Sequence, residues 1–291
     1  MKESFVGFYS IRAIKEIDKE KSVLMFGVPF ERVKDTPGGS KKAPDAIRKH
    51  SYEFSGISSD FDITKSSKSY YDLGNIHPIK EKQKLDKIWK KSEELGAKLL
   101  VLGGDHSITF DTLSNSPIND QAAIIWLDAH ADLADEYPKG FFQSHGTVFT
   151  NLIHEKNLKR EQMLLLGGHA FTQTSAEYDK LKDNSVEFLS TQDLFNRKEE
   201  SLDYIRNYIS RFEKIYLSID VDVLDQAFVP TMGTAEPFGF TPQLLLDVIS
   251  LILPKAVYVD IVEVQHTKKN KIVLNFVVGL IFQILQRWNT R

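Results

Sequence analysis

The chain of 291 residues carries a formal net charge of −3, 42% hydrophobic residues and no cysteine. That length and apolar content suffice for a sizeable core, and the missing thiols exclude disulfides, thiolate metal sites and a cysteine nucleophile. There is no long basic block for nucleic acid to grip, no apolar run as long as a membrane span, and no basic start and apolar core in Met1 to Ser10 to suggest a leader, so a cytoplasmic protein is the default reading.

Ser22 to Val28 reads as the first strand, ending in a Gly27-Val28-Pro29 turn, and Ala43 to His50 as a helix with Pro44 in its first turn. The serine-rich stretch Ser55 to Ser69 reads as a loop within the domain. Tyr70 to Leu73 is a short strand, Glu81 to Gly96 an amphipathic helix, and Lys98 to Leu102 a strand running into Gly103-Gly104-Asp105-His106. Ala122 to Leu127 is an apolar run of the kind that forms buried parallel strands, and it discharges into Asp128, His130 and Asp132. Further strands are predicted at Met163 to Leu166, Val186 to Leu189, Ile215 to Ile219 and Ala256 to Val264. Helices are predicted near Thr174 to Lys182, Lys198 to Phe212, Pro242 to Leu253 and Val273 to Trp288. The apolar tail Ile272 to Leu285 is interrupted by Asn275 and Gln283 and is too short for a span, so it reads as a buried helix. Strand and helix alternate without a linker. We therefore expect one α/β domain over residues 1–291, a three-layer α/β/α arrangement with a central, mainly parallel sheet of about eight strands.

In such sheets ligands sit outside the carboxyl ends of the strands, where Asp128, His130 and Asp132 fall. Extended chain repeats its faces every second residue, so this ladder aims two carboxylates and an imidazole the same way. Full extension would hold the outer two roughly 13 Å apart, so a shared site requires the chain to curl after Asp128. The strand before Asp220 and Asp222 presents both on one face, and the small residues after Leu102 let the backbone turn so that His106 points over the sheet edge. Any one of these six side chains read alone is a cap or a hydrogen-bonded core residue. Three strand ends offering donors at compatible spacing point instead to two adjacent dications, and donors of this kind suit Mn²⁺. Paired ions of this sort activate water, so the chemistry implied is hydrolysis.

Gly103 to Ser107 (GGDHS), Asp128 to Leu133 (DAHADL), Ser144 to Thr147 (SHGT), Ser218 to Asp225 (SIDVDVLD) and Asp260 to Val264 (DIVEV) resemble the ureohydrolases, the arginase and agmatinase family. GVPFE from Gly27, Pro37-Gly38-Gly39 and Pro44 to Arg48 extend the likeness over nearly the whole chain in the family's order. The resemblance implies two Mn²⁺ per chain, one on His106, Asp128, Asp132 and Asp220, the other on His130, Asp128, Asp220 and Asp222. It implies that Glu263 orients a guanidinium, that His145 shuttles a proton, and that Asp132 also assists the attacking water. A structural salt bridge for Glu263 and a solvated loop position for His145 are the plainer readings. The implied products are urea and an amine.

The loop Glu136 to Ser144 lacks the Asn- and Ser-bearing pattern with which arginases receive an amino acid, and its direct SHGT ending looks more like agmatinases. Formimidoylglutamases tend not to have this histidine. Agmatine is thus the expected small-molecule guanidino substrate, with Asp135 and Glu136 congenial to its far cationic end. Arginine, guanidinobutyrate and formimidoylglutamate are the alternatives. The chain departs from the family at Gln226, at Ala235, at His169 and after Glu263, where Gln265 and His266 precede the basic run Lys268 to Lys271. Those departures bear on specificity and leave the six metal positions intact. A metal-retaining binding protein without turnover and a single-zinc amide deacetylase are the readings of other class. A homo-oligomer, trimer or hexamer, is implied by the resemblance alone.

Overall fold

The computed structural model describes residues 4–11, 13–17, 19–33, 39–183, 186–230, 234, 236–265 and 271–289. Pro37, Gly38, Ala235, His266 and the stretch Lys268 to Asn270 lie outside the described residues.

Among the described residues nine strands form one sheet in which every neighbouring pair is parallel. They are β1 (Tyr9–Ser10), β2 (Val23–Gly27), β3 (Tyr70–Asn75), β4 (Lys98–Leu102), β5 (Ala122–Asp128), β6 (Met163–Gly167), β7 (Glu187–Ser190), β8 (Lys214–Asp220) and β9 (Ala256–Val262), in the spatial order β1-β3-β2-β4-β9-β8-β5-β6-β7. The central strands are apolar on both faces because both faces are covered. In β5, Ala123, Ile125 and Leu127 join one core while Ile124 and Trp126 join the other; in β4, Leu100 and Leu102 alternate with Leu99 and Val101 in the same way.

Helices α1 (Ala43–Ser51), α6 (Thr191–Asn196), α7 (Lys198–Ser210), α8 (Pro242–Ile252) and α9 (Ile272–Asn289) close the first core through Ile47, Leu194, Ile205, Leu245 and Ile281. On the opposite face α2 (Lys82–Leu95), α3 (Ser107–Leu113), α4 (Val148–Lys156) and α5 (Ser175–Lys182) contribute Ile88, Ile108, Phe149 and Leu181. Among the described helices α9 alone is long and apolar enough to cross a membrane by length and composition. Its Val277, Ile281 and Ile284 instead lie fully buried in the core, and Trp288 Nε1 donates to Leu253 O at 3.1 Å.

The layers and the parallel sheet are as the alternation predicts, with nine strands rather than about eight. The additional one, β1, is two exposed edge residues with no apolar period to mark it. Helices α3, α4 and α6 are likewise additions to the predicted set. The sequence of α3, SITFDTL, is rich in β-branched residues that disfavour helix, and it is held by burial of Ile108, Thr109 and Leu113 rather than by local propensity.

Candidate metal centre and adjoining cavity

Four adjacent strands, β4, β9, β8 and β5, deliver their carboxyl ends to one place. After β4 the chain reaches His106 through Gly104, where an added Cβ would lie 1.9 Å from Phe30 O. The small residue is needed for this close approach of two backbones, not for an unusual turn. Strand β5 ends at Asp128, and the chain curls as the spacing requires: Asp132 adopts the left-handed φ of +52°. Asp220 ends β8, but Asp222 is not on the strand. It lies in a 3-10 turn, Val221–Val223, in which Asp220 Oδ1 accepts from Asp222 N at 2.9 Å. The turn, rather than the pleat, brings these two carboxylates together.

His106 Nδ1 lies 3.0 Å from Asp128 Oδ2, 2.9 Å from Asp132 Oδ2 and 3.5 Å from Asp220 Oδ2. His130 Nδ1 lies 3.0 Å from Asp222 Oδ2 and 3.5 Å from Asp128 Oδ1. Two donor groups result, His106 with Asp128 and Asp132, and Asp128 with His130 and Asp222; they share Asp128. His106 Nδ1 and Asp128 Oδ2 are buried and have no hydrogen-bond partner. Buried polar atoms are seldom left so, and two of them facing one another among carboxylates fit a divalent cation.

The titration of the cluster is consistent with this. Burial and the Asp128 charge push Asp132 up to about 7. Burial, Asp222 and Asp128 also raise Asp220 well above the usual carboxylate range. Burial opposes the charged forms of His106 and His130, yet the surrounding carboxylates raise both well above the ordinary imidazole value. Without a cation, protons do the neutralising.

Each imidazole is backed on its far side. His106 Nε2 meets Ser218 Oγ at 2.9 Å, and Ser218 Oγ donates to Asp260 Oδ1 at 2.5 Å; Thr109 and Tyr258 also donate to Asp260. His130 Nε2 meets Thr172 Oγ1 at 3.0 Å, and Thr172 Oγ1 donates to Glu236 Oε1 at 2.6 Å. The sequence reading singles out none of these backing residues. Asp260, an ionisable residue inside an apolar strand, is the one that carries a signal.

A cavity of about 80 Å³ opens onto the cluster, lined by His106, His130, Tyr137, His145, Glu177 and Glu263 among others. Glu263 follows β9 in a left-handed conformation, φ +58°, and its Oε1 accepts from His106 N at 2.8 Å. Burial and Asp105 raise its carboxyl well above the usual range. His145 opens a 3-10 turn, His145–Thr147, with its ring edge-on to Tyr137 at 5.3 Å. Asp135 and Glu136 do not line this cavity: Lys180 Nζ holds Asp135 at 2.6 Å, and Glu136 Oε2 accepts from Gly140 N. The carboxylate present instead is Glu177, whose Oε2 accepts from Thr174 Oγ1 at 2.6 Å. His169 lines a neighbouring cavity, with Nδ1 3.1 Å from Thr191 Oγ1.

Residues 21–285 match the family described as "Arginase family". The chain is 29% identical over 250 residues to the agmatinase of Photorhabdus laumondii, covering 82% of this chain and 77% of that one. It is 27% identical over 263 residues to the formimidoylglutamase of Bacillus subtilis, covering 85% and 81%. Its fold superposes on the agmatine ureohydrolase of Thermoplasma volcanium with a TM-score of 0.79 at 24% identity, covering 98% and 94% of the two chains.

Proposed function

The chain belongs to the arginase family, a family of metal-dependent amidino hydrolases, and from that premise we propose that it hydrolyses agmatine to putrescine and urea. In this reading His106, Asp128, His130, Asp132, Asp220 and Asp222 hold two Mn²⁺ ions. Such a pair, when bound, would supply the Lewis acidity that ionises water near neutral pH and so provides a nucleophile for the guanidinium carbon. The rest falls to the chain. Glu263 keeps a lone pair on Oε1 beside its bond to His106 N, and Oε2 as well, so both oxygens can receive the two N–H groups of a planar guanidinium. A cationic guanidinium there would hold Glu263 ionised against its burial. His145, at the cavity wall, would pass a proton to the departing amine.

The observation that carries agmatine is the charge of the cavity wall. With the four aspartates of the cluster balanced by two dications, the wall's described residues still include Glu177 and Glu263, and neither lysine nor arginine. A substrate cationic at both ends suits that wall. Formimidoylglutamate, with two carboxylates, would find Glu177 and neither lysine nor arginine among those residues to receive them. The similarity to a formimidoylglutamase keeps that substrate as the second reading. The cytoplasmic location stands as the default reading of the sequence, and the trimer or hexamer as an expectation of the resemblance, checked by light scattering.

The test is urea release by the Mn²⁺-loaded protein from agmatine, arginine, guanidinobutyrate and guanidinopropionate, with formamide release from formimidoylglutamate measured alongside. Agmatine as the preferred substrate is the expected outcome. Preference for formimidoylglutamate, or for an acid-bearing guanidine, would overturn it.

A further inference from the structure

His106 and His130 are held by the same device, built twice from unrelated residues. In each, the ring nitrogen facing away from the carboxylate cluster meets a hydroxyl, and that hydroxyl donates to a buried carboxylate. Behind His106 the pair is Ser218 and Asp260; behind His130 it is Thr172 and Glu236. Glu236 is 4% exposed and anchored on both sides, with Oε2 accepting from Phe171 N at 3.3 Å and its carbonyl from Gln226 N at 3.2 Å.

A hydroxyl has one proton. Thr172 gives its proton to Glu236, which as a carboxylate can only accept, so toward His130 the hydroxyl offers a lone pair. His130 must then carry a hydrogen on Nε2. A neutral imidazole with its proton there has its free lone pair on Nδ1, the nitrogen that faces Asp128 and Asp222. We infer that Thr172 and Glu236 are positioning residues that fix the tautomer and ring orientation of His130, so that Nδ1 serves as the nitrogen donor of the metal group it shares with Asp128 and Asp222. This rests on the two-metal reading proposed above. Thr172 differs from Ser218 in facing the cavity. The device therefore connects the outer donor group to the space a substrate enters.

Partners of this kind behind a metal-binding histidine affect affinity by about 10- to 100-fold. The experiment is calorimetric titration of Mn²⁺ into the metal-free protein, comparing wild type with Thr172→Val, Thr172→Ser and Glu236→Gln. Thermal unfolding in chelator verifies that each variant is folded. Wild type and Thr172→Ser should take up two ions with matching affinities, while Thr172→Val and Glu236→Gln should bind one ion normally and the other at least tenfold more weakly. In a His130→Ala background, adding Thr172→Val should leave the affinity of the remaining ion unchanged.

Two ions bound by folded Thr172→Val at wild-type affinity would overturn the inference while leaving the metal centre standing. Weakening of the remaining ion in the His130→Ala background would also overturn it, since the effect would not pass through His130. A wild-type protein that takes up no divalent cation would overturn the metal reading and this inference with it.

Discussion

Asp128 is the side chain on which both donor groups depend. Its Oδ2 lies 3.0 Å from His106 Nδ1 and its Oδ1 3.5 Å from His130 Nδ1, with the residue 1% exposed. Asp128→Ala should abolish binding of both Mn²⁺ ions and, with them, urea release, whereas His130→Ala should lose one ion; a titration in which Asp128→Ala still binds two would refute the shared role. Glu263 makes a different kind of contribution. Glu263→Gln keeps an oxygen for the His106 amide but removes the charge, and a charge-assisted bond contributes about 1.5–3 kcal/mol, so KM for agmatine should rise roughly 10- to 100-fold. Unchanged KM in steady-state urea-release assays would remove Glu263 from guanidinium recognition. The positions most legible in the sequence are those clustered at strand ends, because a short apolar run followed by donors at alternate positions is a local pattern. Thr172 and Glu177 come from the loop before α5 and its first turn, Glu236 from a loop 64 residues beyond Thr172, and only tertiary structure brings them to the donors.

The elements bear the cost of bringing these residues together. Gly104 lets the chain leaving β4 pass against Phe30, and Gly104→Ala would force backbone apart at the root of the His106 loop. Overpacking of this kind costs about 1–3 kcal/mol, and because the clash is with backbone we expect the upper part of that range, read from urea unfolding of the metal-free protein. A variant as stable as wild type would mean the loop relaxes freely. Helix α1 is tied to β3 by a buried pair: Arg48 Nε and Nη2 donate to the two oxygens of Asp72 at 2.8 and 2.9 Å, and Phe5 N also donates to Asp72. Arg48→Met strands that carboxylate in the core and should cost about 3–5 kcal/mol in the same assay. Strands β2, β4, β5, β6, β8 and β9 are readable because their burial on both faces demands predominantly apolar runs, broken only at Ser218 in β8 and Asp260 in β9 before the strand ends. Helices α3 and α4 are not, since each is short and carries β-branched residues, SITFDTL and VFTNLIHEK, that disfavour helix. Asp222 reads as part of the pleat because a 3-10 turn that begins at a strand's last residue keeps the same two-residue spacing.

At the scale of the whole molecule, the donors exist as a set only in the folded chain, because β4, β5 and β8 are separated in sequence and meet only through the sheet. Binding free energy at the centre is therefore folding free energy. In the metal-free protein Asp132 is pushed up to about 7 by burial and by Asp128, and both histidines are raised by their carboxylate neighbours against the opposing effect of burial. A group whose pKa is higher folded than unfolded stabilises the fold fully below its unfolded pKa and loses that contribution as pH rises through its folded pKa. Asp132 thus contributes less and less from about pH 4 to beyond pH 7, and the histidines follow above their ordinary value near 6.5. The ions need the deprotonated groups, so their affinity changes in the opposite sense and grows over the same interval. Stabilisation by a ligand follows RT ln(1 + [L]/Kd), so the rise in Tm that Mn²⁺ produces over chelator should be larger at pH 8 than at pH 6, while the metal-free Tm falls between them. Differential scanning of the protein in Mn²⁺ and in chelator at the two pH values measures both. An Mn²⁺-induced rise of equal size at pH 6 and pH 8 would mean that the bound cations displace no protons from the cluster, and that some other part of the chain holds them.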